Sequence, residues 1–280
     1  MNNRRAMRAY LDEERALYQQ LSQTHPRYAK FVERIELWLK RTRKAWRTLS
    51  DRDVAIPDTF LQPYQIDKTA FLPQGQGKGL LKKRSMLLNM VQIKYQLRGY
   101  NMMREYQRCV DFYPETLDPD RSYEILELSS GSCASVEVAR HFGNTLQPTE
   151  FLEGRGSVYD PIHQAIDAKP INFNGAQTPY QFDDNSYDIV TCFQAIDAYG
   201  DEAQYAEFIG EMSRIAREKV VIVFNPSVES KFKGDVENSS DTLTRLLSNT
   251  FPGAEFNKCP STGLLSMVWN TEEEEQRLTA

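Results

Sequence analysis

Residues Tyr123 to Ala139 read YEILELSSGSCASVEVA. An apolar run, Ile125-Leu126-Glu127-Leu128, passes through a turn of Ser, Gly and Cys into a segment that takes up a helix from Val136 to Phe142. Strand, tight small-residue turn, helix is the opening unit of an open α/β sheet. It is also where such sheets hold nucleotide-type ligands. Small residues let the backbone approach a ligand closely, and the start of the helix offers N–H groups with no intrahelical partner. Glu127 stands at the end of this strand. Glu150 follows 23 residues later at the end of a second candidate strand, a spacing that suits a carboxylate accepting ribose hydroxyls. Only Gly131 remains of the three glycines a dinucleotide fingerprint carries. The turn alone therefore describes equally well a buried strand feeding a helix.

The rest of the second half decides the fold class. Ile171-Asn172-Phe173 is a candidate third strand, and the β-rich run Ile189 to Phe193 a fourth, preceded by an Asp-Asp-Asn-Ser turn. Residues 201–217 place Tyr205, Phe208, Ile209, Met212 and Ile215 on one helical side. Val220 to Phe224 is a continuous apolar strand of the buried parallel kind. Residues 239–250 open with cap residues and read as a helix. Two last strands, about 254–259 and 264–269, flank a Pro-Ser-Thr-Gly turn. Alternation of this kind predicts a doubly wound, mostly parallel sheet of seven strands, closed by a hairpin with an antiparallel edge.

The first half is different. Residues 1–120 carry 22 Lys/Arg against 14 Asp/Glu, and the remainder 12 against 25, within an overall charge of −5. Such asymmetry divides the chain into a basic region and an acidic one. Residues 3–22 lack Gly and Pro and read as a helix. Residues 26–49 read as another, with Tyr28, Phe31, Ile35, Leu37 and Trp38 as its apolar stripe and Lys40, Arg41, Arg43, Lys44 and Arg47 crowding its end. Residues 51–79 are broken by Pro57, Pro63, Pro73, Gly75, Gly77 and Gly79 and read as an irregular connector. A third helical region spans about 80–110, where Met86, Met90, Met102 and Met103 read as core. The expected division is a helical extension over 1–120, an α/β domain over 121–270 and an acidic tail over 271–280. The basic clusters suit either a surface for phosphates, on RNA or on a phosphorylated substrate, or a solvated face that docks on the acidic half.

Composition excludes several classes. No run approaches the roughly 18 apolar residues of a membrane span. The residues MNNRRAMRAYLDEER have no apolar core of a secretory signal. Four scattered cysteines without a CxxC pair predict a reduced, cytoplasmic chain with no structural zinc. Oligomeric state is left open by the sequence.

Residues 121–270 resemble the class I S-adenosylmethionine-dependent methyltransferases. ILELSSGSCAS is similar to the family's first motif, an acidic residue followed by glycines. NTLQPTE is similar to the second strand with its ribose-binding acid. FDDNSYDIVTCFQAIDAY, EFIGEMSRIAREKVVIVFNPS and TGLLSMVWN are similar to the fourth strand, the next helix with the fifth strand, and the closing strand. ELSSGS followed by QPTE is especially similar to a small group of methyltransferase-like proteins of unassigned substrate. The resemblance implies a Rossmann-like methyltransferase fold with S-adenosylmethionine as cofactor and S-adenosylhomocysteine as product. It implies a cofactor site of Glu127, Ser129, Gly131, Cys133, Glu150 and Gln194, with Asn174 or Gln177 where an acidic residue commonly meets adenine. Ser129, Gly131 and Cys133 stand where the family prefers three glycines, and Cys133 brings a side chain to the place of the cofactor's amino-acid part.

For catalysis the resemblance points to groups after the fourth strand. Asp197 is the candidate base or acceptor-positioning group, with Tyr199 beside it and Asn225 after the fifth strand; His163 is a further candidate. Two special acceptor motifs are absent. Asn225-Pro226 follows the wrong strand for an adenine-methylating signature, and the fourth strand does not end in a ribose-methylating set. The resemblance implies transfer of a methyl group to a small molecule, a glycan precursor or RNA. The alternative is a catalytically inactive methyltransferase fold used for assembly or nucleic-acid binding. A nicotinamide-dependent oxidoreductase fits the depleted glycine turn and the closing hairpin less well.

Overall fold

The computed structural model describes residues 3–71, 93–152, 157–225, 236–260 and 262–271. The chain forms two compact units, one of Met1–Arg108 with Gly156–Ala168, the other of Cys109–Arg155 with Lys169–Ala280.

The first unit is helical. α1 (Asn3–Thr24) buries Met7, Tyr10, Leu11, Glu14 and Tyr18 on one stripe. The helix expected over 26–49 is two, a single turn α2 (Pro26–Ala29) and the long α3 (Val32–Asp51). Phe31 caps α3 and is itself buried, as are Tyr28, Ile35 and Trp38; Leu37 of the expected stripe is only half-buried, and Leu39 takes its place. Arg15 of α1 ties to Glu36 of α3 at 2.7 Å. The Pro-rich connector folds into two short 3-10 turns, Asp58–Leu61 and Lys68–Phe71, and buries Ile56, Phe60, Leu61 and Tyr64. α4 (Arg98–Phe112), most of which belongs to this unit, buries Met102 and Met103 completely, as a core reading requires. Met86, Met90 and the three glycines of the connector lie outside the described residues.

A buried polar centre holds this unit together and left no trace in its hydrophobic pattern. Glu14, fully buried in the apolar stripe of α1, accepts two hydrogen bonds from Lys68 Nζ at 3.0 and 3.1 Å. The same ammonium reaches the Gln96 carbonyl at 3.3 Å and lies over the Tyr18 ring. Burial raises the Glu14 carboxyl above its usual range, and the Lys68 charge works against that rise.

The second unit is built on a seven-stranded sheet. In chain order its strands are β1 (Glu124–Leu128), β2 (Thr145–Glu150), β3 (Ile171–Asn172), β4 (Tyr187–Phe193), β5 (Ala216–Val223), β6 (Glu255–Lys258) and β7 (Leu265–Asn270). Their order across the sheet is β3-β2-β1-β4-β5-β7-β6. The first five run parallel, and β7 is antiparallel to both β5 and β6. This is the Rossmann-like fold with a closing antiparallel hairpin that the sequence predicts. The reversal of strand order lies between β1 and β4, where such sheets open a crevice at their carboxyl ends.

The helices are α5 (Ala134–His141), α7 (Tyr205–Ile215) and α8 (Val236–Thr250), while the short α6 (Asp160–Ala165) belongs to the helical unit. α7 starts from a capping box, in which Asp201 accepts from the Ala203 N–H and Gln204 answers the Asp201 N–H. It buries Tyr205, Phe208, Ile209, Met212 and Ile215 against the sheet. It ends at Ile215, short of the expected residue 217, because the chain passes directly into β5 at Ala216. There Arg217 pairs with Asp188 at 2.8 Å and with Glu124, which holds the polar start of β5 against its neighbours. Val220 to Val223 are buried on both faces, as befits an interior strand.

Candidate functional site

The carboxyl edge of the sheet is shaped by four residues with left-handed backbone. Ser129 (φ 58°), Gly131 (φ 57°) and Cys133 (φ 56°) alternate through the turn between β1 and α5, and Gln194 (φ 59°) follows β4. Ser129, Gly131 and Cys133 are the positions at which the resembled motif prefers glycine. The two non-glycine residues keep the glycine trace although a β-carbon there costs about 1–2 kcal/mol. Departures of this kind persist only where the surroundings fix them, and they concentrate at functional sites.

Bonds to β2 fix the start of the turn. The Ser129 N–H donates to Thr149 Oγ1 at 3.0 Å, and the Ser130 N–H to the Thr149 carbonyl at 2.8 Å. The Thr149 and Ser130 hydroxyls both donate to the Glu127 carbonyl, at 3.2 and 3.0 Å. Glu127 itself is buried, and its carboxylate accepts a short bond from the Ser135 hydroxyl in the first turn of α5. Cys133 is fully buried. Its Sγ turns back to the Gly131 carbonyl at 3.6 Å, and it gives α5 no side-chain cap. The Ser132 hydroxyl is buried in the same turn without a hydrogen-bond partner among the described residues.

Tyr199 closes the turn from the other side. Its hydroxyl lies 2.8 Å from Ser129 Oγ and 3.9 Å from Cys192 Sγ. The ring meets Phe173 and Phe208 edge-on, at 5.9 and 6.0 Å. It lies so close over Gly175 that a β-carbon there would overlap it. Burial pushes the Tyr199 phenol well above its ordinary range and the Cys192 thiol up to about 12. Both stay protonated at neutral pH. Tyr199, expected to face the reaction, is thus buried and packed behind the turn.

The other expected residues divide. Glu150 is half-buried at the end of β2, its carbonyl accepting from the Phe173 N–H at 3.0 Å. Asn174 forms a turn of its own, accepting from the Ala176 N–H at 3.1 Å through its side chain and from the Gln177 N–H at 3.1 Å through its carbonyl. Gln177 is exposed on that turn. Gln194 is half-buried, donates its N–H to the Val223 carbonyl at 2.7 Å and accepts from Asn225 Nδ2 at 3.4 Å. Asp197 is half-buried in the 3-10 turn Ile196–Ala198 that follows. Glu127, Ser129, Gly131, Cys133, Glu150, Asn174, Gln177, Gln194 and Asp197 therefore all lie in or after the carboxyl ends of β1 to β4. His163 is buried on α6 in the helical unit, its ring 6.1 Å from that of Tyr159.

Sequence reasoning passed over Thr149, Ser135 and Gly175. Thr149 was legible as the polar residue directly before Glu150. Gly175 was not, because its need for a missing side chain comes from a ring 24 positions away.

Among the described residues no helix is long and apolar enough to cross a membrane. The four cysteines are buried and unbridged.

No protein-family model matches the chain, and no curated protein matches its sequence. Solved structures do. A Pyrococcus horikoshii protein is 13% identical over 59% of this chain and 90% of its own, with a TM-score of 0.43. A SAM-dependent methyltransferase from Aquifex aeolicus is 11% identical over 59% of this chain and 93% of its own, with a TM-score of 0.41. The magnesium protoporphyrin IX methyltransferase of Synechocystis, solved with bound SAH, is 11% identical over 72% of this chain and 91% of its own, with a TM-score of 0.40.

Proposed function

We propose that this chain is a class I methyltransferase that transfers a methyl group from S-adenosylmethionine to a small-molecule, glycan-precursor or RNA acceptor. The observation that carries the reading is the turn after β1. Ser129, Gly131 and Cys133 keep three left-handed residues in a row of alternating positions, at a cost that two of them could avoid in an ordinary strand-to-helix turn. A ligand that must lie close against the backbone supplies a reason for that conformation.

The residues at this edge fit the cofactor. Glu150 ends β2, where its carboxylate accepts ribose hydroxyls. Cys133, which stands where the resembled motif prefers glycine, is fully buried with its Sγ turned back to the Gly131 carbonyl. Asn174 or Gln177 serves the adenine, and Gln194 borders the turn after β4. When bound, S-adenosylmethionine supplies an electrophilic methyl group on a sulfonium. The chain contributes binding, orientation and exclusion of water. Asp197 is the group to orient the acceptor or remove its proton, since Tyr199 and Cys192 hold their own protons too tightly at neutral pH to act as bases.

Calorimetric titration of the full chain with S-adenosylmethionine and S-adenosylhomocysteine tests the reading. Saturable binding is expected. Absence of binding by the folded protein overturns the proposal. Glu150→Ala is expected to abolish binding while the circular dichroism and melting temperature are unchanged. Wild-type affinity in that variant would remove the ribose assignment alone.

A further inference from the structure

The helical unit concentrates cations around a small aromatic cluster. Arg104 and Arg108, one turn apart on α4, share a single carboxylate, Glu105, at 2.5 and 2.7 Å. Glu105 is nearly fully buried, and the Arg104 side chain is only 15% exposed. Lys94, in the segment before α4, lies 4.8 Å from the Tyr95 ring centre and 5.6 Å from that of Tyr100. The Arg104 guanidinium lies 5.5 and 5.9 Å from the same two rings. Tyr95 also meets Tyr159 edge-on at 5.0 Å. Among the described residues Lys94 enters no ion pair.

The arrangement is more than cation–ring packing. Two cations converge on one pair of partly exposed rings, and the nearest carboxylate is already divided between two guanidiniums. Burial alone raises the Tyr95 phenol. The Arg104 and Lys94 charges outweigh it and hold the phenol below its ordinary value, so the local field is positive. The Arg104 guanidinium shares its acid with Arg108, and the partly exposed Lys94 ammonium beside it has none among the described residues, so the pair keeps capacity for a further anion. The planar fork of an arginine beside a lysine suits the oxygens of a phosphate or carboxylate, and tyrosine hydroxyls add donors.

We propose that Lys94, Arg104, Tyr95 and Tyr100 form a binding site for an oxyanion, the phosphate or carboxylate group of a small molecule. The site belongs to the helical unit and does not depend on the methyltransferase reading of the sheet.

The test uses the full chain, titrated with inorganic phosphate and separately with acetate, followed by calorimetry. Titration of the Tyr95 ring is read by NMR on tyrosine-labelled protein, with Tyr95→Phe for assignment. Saturable binding of either anion is expected, and saturation should raise the Tyr95 pKa because a bound anion opposes the phenolate. Preference for phosphate or for acetate supports the site either way and names the group it takes. Lys94→Gln, a partly exposed residue with no ion pair to lose, should weaken binding about tenfold or more. Arg104→Gln should do the same where that variant folds. Failure of both anions to saturate, an unmoved Tyr95 titration, or unchanged affinity in Lys94→Gln overturns the proposal.

Discussion

Ser129 makes two opposing contributions, and substitution separates them. Its hydroxyl is the short partner of Tyr199 at 2.8 Å, and its backbone is left-handed at φ 58°. Ser129→Ala removes the bond and keeps the strain. Tyr199 is then left with only the weak Cys192 thiol contact at 3.9 Å, and a buried hydroxyl so deprived costs about 1–3 kcal/mol. Ser129→Gly loses the same bond but releases about 1–2 kcal/mol of left-handed strain, against about 0.5–1 kcal/mol of added chain entropy. The glycine variant should therefore be about 1 kcal/mol more stable than the alanine variant, a difference of about 2–4 °C in a unit of this size. In a Tyr199→Phe background, Ser129→Ala should cost almost nothing further, since the two changes remove one shared bond. Thermal unfolding of the four variants by circular dichroism measures this. Equal melting of the alanine and glycine variants, or a more stable alanine, refutes the claim that left-handed strain is stored at Ser129. Full additivity with Tyr199→Phe refutes the bond.

Other outcomes follow from particular contacts. Gly175→Ala should destabilise the sheet unit by about 1–3 kcal/mol through overlap with the Tyr199 ring, and Gly175→Ala combined with Tyr199→Leu should recover part of the loss; chemical denaturation reads both. The Glu211 carboxyl is held below its usual range by its hydrogen bonds with Arg214, and it also accepts from the Tyr180 N–H at 2.7 Å. A carboxyl lowered in the folded state adds stability above its unfolded pKa of about 4.3 that is lost as pH falls through the folded value. Arg214→Met should flatten that acid limb in a stability-against-pH profile, and an unchanged limb would assign acid sensitivity elsewhere. Lys40, Arg41, Arg43, Lys44 and Arg47 are all exposed on the last turns of α3. If this face meets RNA phosphates, affinity should fall steeply with salt and drop further when the five are changed to Gln. Binding that ignores salt would return the cluster to a solvated helix face.

The sheet was legible because its signals are local. The apolar runs at 125–128, 189–193 and 220–224 and the helical spacing of Tyr205, Phe208, Ile209, Met212 and Ile215 each state their own structure within a few residues. The strand, small-residue turn and helix that follow from Ile125 were readable for the same reason. The break between α2 and α3 was missed because Phe31, read as one more residue of a stripe, is a buried residue outside both helices. Glu14 was hidden because its partner, Lys68, is 54 positions away, and charge at the centre of an apolar stripe makes sense only once that partner arrives.

The sequence by itself determined a doubly wound α/β domain behind a basic helical region, and the small-residue turn with Glu127 and Glu150 as its centre. Periodicity and turn chemistry act over single elements and survive without a fold. Only the tertiary structure decided that Ser129 and Cys133 take left-handed backbone, that Tyr199 is buried with its hydroxyl on Ser129, and that His163 lies in the helical unit. These are properties of long-range contact. A backbone angle held by Thr149 and Tyr199, or a phenol silenced by burial, exists only when strands distant in sequence come to lie side by side.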